Sequence, residues 1–383
     1  MPAATPLPSQ RHLFDVPADV AYFNCASIGP MLHAARAAAT AALARRARPW
    51  TISQRDWFTD PERRRGLFAQ LIGADADGVA LVPAASYGLA VAAANLPSRP
   101  GQQVLLIADD FPSSVYTWQR HCARSGARIR TVARAAGQDW TAAVLAGLDD
   151  ATAIVAVPNV HWTDGALLDL AQIGTAARRA GARLVVDASQ SIGALPLDLA
   201  AVRPDFLVTV GYKWLLGPFG CSYLYVAPEH REGVPLEENW ILRQDSEDFS
   251  RLVDYRAGYQ AGARRYDMGQ RSAFETTPAA IAALEQILDW GVPRIAATLA
   301  ATTAAIEREL GGLGLAVTSR PRGPHLLGLA LPPEARRRAA ASLADEGIHL
   351  SLRGNAVRIA PHLHTTAEDI GRLAAGLARC LRA

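Results

Sequence analysis

Between residues 79 and 226 the chain repeats one pattern, in which a short apolar run and a turn are followed by a helix-like stretch and another apolar run. The runs fall at 79–82, 104–108, 129–132, 153–157, 183–186, 206–210 and 222–226, mostly separated by helical stretches at about 87–95, 113–125, 139–147 and 168–181. A helix between two strands carries the chain back to where the first strand began, so the strands lie parallel and the sheet is covered on both faces. The predicted class is α/β, with a mainly parallel sheet. In such sheets ligands collect at the carboxyl ends of the strands.

The flanks read differently. Residues 1–20 form a proline-containing extended arm, and Ala21 to Pro30 is a short strand ending in a turn. Met31 to Ala47 is an Ala- and Arg-rich helix, Trp50 to Phe58 a connection, and Pro61 to Ile72 a second helix closed by Gly73. The C-terminal third is helical from about Ile281 to Leu310, then returns to short apolar runs at Leu326 to Ala330 and Gly347 to Ile359, with a closing helix from Thr366.

With 383 residues of 40.8 kDa, half of them hydrophobic, the chain can form a large core. Its 39 basic and 36 acidic residues are spread without a basic block, which argues against a nucleic-acid partner. Cys25, Cys122, Cys221 and Cys380 show no CxxC pair or regular spacing, so neither a disulfide framework nor a zinc site is expected, and a reducing cytoplasm fits. His362 and His364 look like a metal pair but have no third ligand in view. No signal segment or bilayer-length apolar run is evident.

Lys213 is the only lysine in the chain. Arginine serves every other cationic purpose here, whereas an imine requires an amine that can lose its proton and attack a carbonyl. Lys213 is therefore a candidate Schiff-base residue. It sits after the buried run 206–210, between Gly211 and Gly217-Pro218, where partial desolvation lowers an amine's pKa.

Other strand ends carry matching chemistry. Pro83-Ala-Ala-Ser-Tyr-Gly88 opens a helix, and its free amides with Ser86 suit a phosphate. Asp109-Asp-Phe-Pro-Ser-Ser114 places an aromatic ring, Phe111, at the same edge. Pro158 to Gly165 is a polar loop in which Asn159 and His161 are candidate contacts, and Asp187 ends a very apolar strand where a carboxylate is costly without a cationic partner. Lysine, carboxylate, phosphate cradle and aromatic plate together are what pyridoxal 5'-phosphate requires.

On these residues the chain resembles the class V aminotransferase superfamily of fold-type I pyridoxal-phosphate enzymes, near the cysteine desulfurase, kynureninase and isopenicillin N epimerase branch. The most specific segments are Val186-Asp-Ala-Ser-Gln190 and Gly211-Tyr-Lys-Trp with Gly217-Pro218 and Gly220. The resemblance implies that Asp187 pairs with the cofactor's ring nitrogen and that Gln190 lies near its phenolic oxygen. It also implies that Phe111 covers the ring, that Ala85, Ser86 and Tyr212 meet the phosphate, and that Asn159 lies near a cofactor oxygen. Arg358, with Arg353 as second candidate, would grip the substrate's α-carboxylate, and His161 would contact substrate. Tyr266-Asp-Met-Gly-Gln270 resembles the segment a second subunit donates to the phosphate, so Gln270 and a homodimer are implied. The resemblance divides the chain into the arm 1–20, a large cofactor domain 21–280 and a smaller C-terminal α+β domain 281–383.

The scaffold implies the cofactor and an amino-acid substrate, not the reaction. Desulfurases carry a cysteine on the loop before the carboxylate-binding arginine; here Leu350 to Arg358 is short and free of cysteine. Amino transfer ranks first, a lyase cleaving at the β-carbon second and epimerisation third. An idle scaffold has no reason to keep its only lysine at the imine position.

Overall fold

The computed structural model describes residues 4–135, 138–354 and 356–382, so the first three residues of the expected arm lie outside it. The strands in chain order begin with β1 (Ala21–Tyr22), β2 (Val79–Val82), β3 (Gln103–Ile107) and β4 (Arg128–Val132). They continue with β5 (Thr152–Pro158), β6 (Arg183–Asp187), β7 (Phe206–Thr209) and β8 (Ser222–Val226). β2 to β8 form one sheet in the order β2-β8-β7-β6-β5-β3-β4, in which β8 alone runs against its neighbours. Because a strand's side chains alternate between faces, consecutive residues of β3, β5 and β6 enter two separate cores. Leu105, Val155, Val157, Leu184 and Val186 face one, and Val104, Leu106, Ile154, Ala156 and Val185 the other. Each fully buried side chain of this size contributes about 1.5–3 kcal/mol, which makes the sheet a rigid base for whatever lies at its edge.

The second α/β element lies near the C-terminus. β9 (Leu327–Ala330), β10 (Ile348–His349), β11 (Ser351–Arg353) and β12 (Ala356–Ile359) complete the strands, with β11, β12 and β9 forming an antiparallel sheet. β10 pairs instead with β1, and Asn24 bridges to Ala360, so the start of the chain is stitched onto its end. Phe23 and Ala21 accordingly share a core with Leu327, Val357 and Ile359.

Three helix boundaries differ from expectation. The helix predicted from Pro61 begins at Asp56, because Pro61 lies inside the helix rather than opening it. The stretch read as one helix is two, Thr277–Trp290 and Val292–Gly311, broken where Gly291 takes φ +75° before Pro293. A helix over Pro333–Ser342, which the sequence reading did not propose, follows β9. The arm is not free either. Leu7 and Phe14 are buried in the main core, and Arg11 donates to Asp369 at 2.6 Å.

Phe14 also closes a buried aromatic seam. It packs edge-on to His364 at 5.3 Å; Trp214 packs edge-on to His325 at 4.4 Å; His362 lies between them, 6.0 Å from Trp214. Burial pushes His362 down to about 3, and holds His325 and His364 at about 4. All three are neutral in the fold, while the unfolded chain protonates them below about 6.5. The unfolded state thus binds more protons as pH falls from 6.5 towards 4, and stability that is present above 6.5 is lost across that window. Each histidine costs about 1.4 kcal/mol per pH unit there. Melting temperature measured from pH 7 to 4.5 should fall steeply, and His362→Phe should flatten the fall.

Candidate active site

The carboxyl ends of β2, β3, β5, β6 and β7 meet at one edge of the large sheet, around a cavity of about 270 Å³. Lys213 lines it from the connection between β7 and β8. That turn is drawn tight by Gly217 N–H donating to Gly211 O at 2.9 Å, and by Gly29 N–H donating to Tyr212 O at 2.8 Å. Side chains are excluded at both glycines: a Cβ on Gly211 would lie 2.0 Å from Cys221 O, and one on Gly29 2.2 Å from Lys213 O. Burial lowers the Lys213 amine to about 8 against the opposing pull of Asp187, with Arg358 and Arg353 lowering it further. Roughly a tenth of it is then neutral and nucleophilic at pH 7.

The other cavity walls come from the expected segments. Asp187 ends β6 with Oδ1 accepting the Ser189 amide at 2.9 Å. Gln190 is fixed at both ends, its Nε2 donating to Ala26 O at 3.0 Å and its Oε1 accepting Trp214 Nε1–H at 2.9 Å. Ala85 and Ser86 open the helix Ala85–Asn95, where first-turn amides have no intrahelical acceptor and attract an anion. Phe111 caps the following helix, its ring centroid 5.6 Å from Lys213 Nζ and edge-on to Trp162. Tyr212 stacks on Phe219 at 3.9 Å, and burial, with Asp187, raises its hydroxyl pKa.

Arg358, on β12, is 2% exposed; it adjoins the cavity through Trp162 rather than lining it, and is near enough to lower the Lys213 amine. Its Nη2 donates to Ser27 Oγ (2.6 Å), Nη1 to Trp162 O (2.7 Å) and Nε to Ser351 Oγ (3.1 Å). Burial, with Arg353 nearby, lowers it to about 9. Arg353, from β11, donates to the same Ser27 Oγ at 3.2 Å, and its guanidinium lies 5.9 Å from the Trp162 ring centroid.

Two expected contacts fall elsewhere. His161 does not line the cavity: Nδ1 lies 3.0 Å from Asp164 Oδ1 and Nε2 3.2 Å from Asp109 O, so both ring nitrogens are committed to holding the 158–165 loop rather than to substrate. Asn159 turns its amide onto Leu168 O at 3.2 Å, away from the cavity. Gln270 is exposed. The segment before it is clamped to β2, where Asp267 accepts Leu81 N–H at 2.7 Å and pairs with Arg65 (2.6 Å) and Arg271 (2.7 Å) in full burial.

Four residues lie at the site without having been singled out. Asp110 is buried with Oδ2 unpartnered; burial raises it to about 7, partly opposed by the Phe111 amide. Ser189 Oγ, also in the cavity wall, is buried and unpartnered. Trp162 and Ser27 are the other two. Ser189 lies inside a segment that carried the resemblance and Ser27 in the turn that ends at Pro30, but small side chains there gave no sign of a particular role.

The profile of the family Aminotransferase class-V matches residues 54–377. The chain belongs to that family, and the family is pyridoxal-phosphate dependent. It is 29% identical over 323 residues to an uncharacterized aminotransferase, YcbU, of Bacillus subtilis (strain 168), covering 81% of this chain and 80% of the relative. It is 26% identical over 339 residues to a kynureninase of Geobacillus thermodenitrificans (strain NG80-2), covering 84% and 78%. Among solved structures, a C-DES mutant with glycine covalently linked to its PLP cofactor superposes with a TM-score of 0.87 at 23% identity, over 96% of this chain and 99% of that one. The fold is that of fold-type I pyridoxal-phosphate enzymes.

The side chains present suit that cofactor. A single amine, an ionisable carboxyl opposite it, helix-start amides and two buried, unpartnered oxygens at Ser189 and Asp110 supply partners for an aldehyde, a ring nitrogen and a phosphate. Among the described residues, no helix is long and apolar enough to cross a membrane.

Proposed function

We propose that the protein is an aminotransferase acting on an α-amino acid, with Lys213 as the residue that bonds the cofactor. The observation that carries the reading is the sole lysine of the chain, set in the cavity with Asp187 and Phe111 and within the field of Arg358 and Arg353. Bound pyridoxal phosphate supplies an aldehyde for Lys213 and a protonated ring that draws electrons from the substrate's α-carbon. Asp187 keeps that ring protonated. Ala85, Ser86 and Tyr212 hold the phosphate, Phe111 gives the ring a flat wall, and Gln190 is oriented towards the ring oxygen by Trp214. Arg358 and Arg353 would fix the α-carboxylate and thereby the bond to be broken, and Lys213 Nζ would take up and return the α-proton.

The name of the Bacillus relative points the same way. A second reading, a lyase cleaving at the β-carbon, is favoured by the kynureninase resemblance. A persulfide-forming desulfurase is not: all four cysteines are buried and none lines the cavity. The active unit in this reading is a homodimer in which Gln270 serves the partner's phosphate. It is supported by exposed apolar side chains such as Trp50, Phe219, Val253 and Tyr255, which need cover. Residues 281–383 act as the small domain carrying Arg358, and the location is cytoplasmic.

The test is a screen of amino acids, with and without a keto-acid acceptor, that identifies products. New keto acid matched by amination of the acceptor supports transfer; ammonia or a cleaved side chain selects the lyase; an inverted enantiomer selects epimerisation.

A further inference from the structure

Two guanidinium groups meet at one neutral oxygen. Arg358 and Arg353 project from neighbouring strands of the β11–β12 hairpin and both donate to Ser27 Oγ, at 2.6 and 3.2 Å. Like charges this close repel, and Arg353 adds to the burial that chiefly lowers the Arg358 pKa. A shared acceptor is what holds them together. Arginine has five N–H donors; Arg358 commits three of them, to Ser27, Ser351 and Trp162 O, and two are left. Two parallel donors are the number a carboxylate takes in a bidentate grip.

Ser27 itself is supplied from far away in the sequence. It follows Asn24, whose backbone bridges to Ala360 just past β12, so the hydroxyl and Arg358 are held by the same backbone pairing. The turn at Ser27 is further closed by its own N–H donating to Asn24 O at 2.9 Å.

We propose that Ser27 is a positioning residue of the carboxylate grip: its hydroxyl ties the two guanidinium groups together and directs the uncommitted donors of Arg358 into the cavity. The hydrogen bonds of its hydroxyl go to Arg358 and Arg353. Its loss weakens recognition of a carboxylate and spares the cofactor. Alanine would leave both arginines without the shared acceptor, and threonine would keep it.

The inference rests on the reading that Arg358 binds the α-carboxylate, and the test separates the two. Holoenzyme is mixed with aminooxyacetate, which carries a carboxylate, and with O-methylhydroxylamine, which does not, and the rate at which each consumes the bound cofactor's visible absorption is recorded. A hydrogen bond to a charged group is worth about 1.5–3 kcal/mol, so Ser27→Ala is expected to slow aminooxyacetate about 10- to 100-fold. The O-methylhydroxylamine rate and the resting spectrum should be unchanged, and Ser27→Thr should recover most of the loss. Equal slowing of both reagents, no slowing of either, or no rescue by threonine overturns the role of Ser27. If Arg358→Lys also leaves the preference for aminooxyacetate intact, the carboxylate grip itself is misplaced; if Arg358→Lys loses the preference while Ser27→Ala keeps it, only the Ser27 inference fails.

Discussion

Lys213→Ala is expected to bind pyridoxal phosphate without a covalent bond and to lose turnover by at least about 10³-fold, because the same amine serves as attacking group and as proton carrier. The turn should survive, since it is shaped by glycines and by backbone bonds to Gly29 and Gly211 rather than by the lysine side chain. Borohydride makes the result unambiguous in a chain with one lysine. In the parent, reduction should fix the pyridoxyl group to the peptide containing residue 213; in the variant it should fix none. Label on any other peptide of the parent would move the cofactor bond elsewhere. Small exogenous amines should restore part of the variant's activity, and failure of every amine to do so, with cofactor bound, would reduce Lys213 to a packing residue.

Asp187→Asn is the second large effect. Asp187 sits at the end of a strand whose preceding residues Leu184, Val185 and Val186 are fully enclosed, and its carboxylate accepts the Ser189 amide. An amide fits the same space and can keep a hydrogen bond, but it cannot balance a positive charge on the ring nitrogen. Electrostatic stabilisation of this kind is worth about 2.7–4 kcal/mol, so turnover should fall about 10²- to 10³-fold with the cofactor still bound. Steady-state kinetics and the bound-cofactor spectrum decide it together: normal turnover, or loss of the cofactor, would assign Asp187 to structure alone.

The periodic part of the chain was the readable part. Every strand from β2 to β8 lies within about two residues of its expected run; all but the half-exposed edge strand β4 are largely buried on both faces and therefore read as apolar stretches bounded by turns. Pro61 misled, since proline more often opens a helix than sits inside its first turns. Gly291-Val-Pro293 was a visible break set aside in favour of one long helix. At the site, Lys213, Asp187 and Phe111, which meet at one cavity, were legible as uncommon chemistry at strand ends, whereas Arg358 was legible only through the family resemblance. Asn159 and His161 were misjudged, because a polar loop residue is equally suited to closing its own loop, and which way it turns depends on Asp164, Leu168 and Asp109. Ser27 could not have been found, because its meaning comes from two arginines more than three hundred residues away.

The pairing of β1 with β10 also sets the order in which the protein can be made. Ala21, Tyr22 and Asn24 leave the ribosome more than three hundred residues before their partners Ile348, His349 and Ala360. Contacts of such separation form late and carry the loop-closure penalty of the whole intervening chain. The large sheet, whose strands are neighbours in sequence, can assemble while Ala21 and Phe23 wait uncovered for Leu327, Val357 and Ile359. A nascent chain stopped short of residue 360 would therefore hold a folded sheet and Lys213 but no closed arginine end, and until residues 348–360 are made the segment 21–24 would be the part in need of a chaperone.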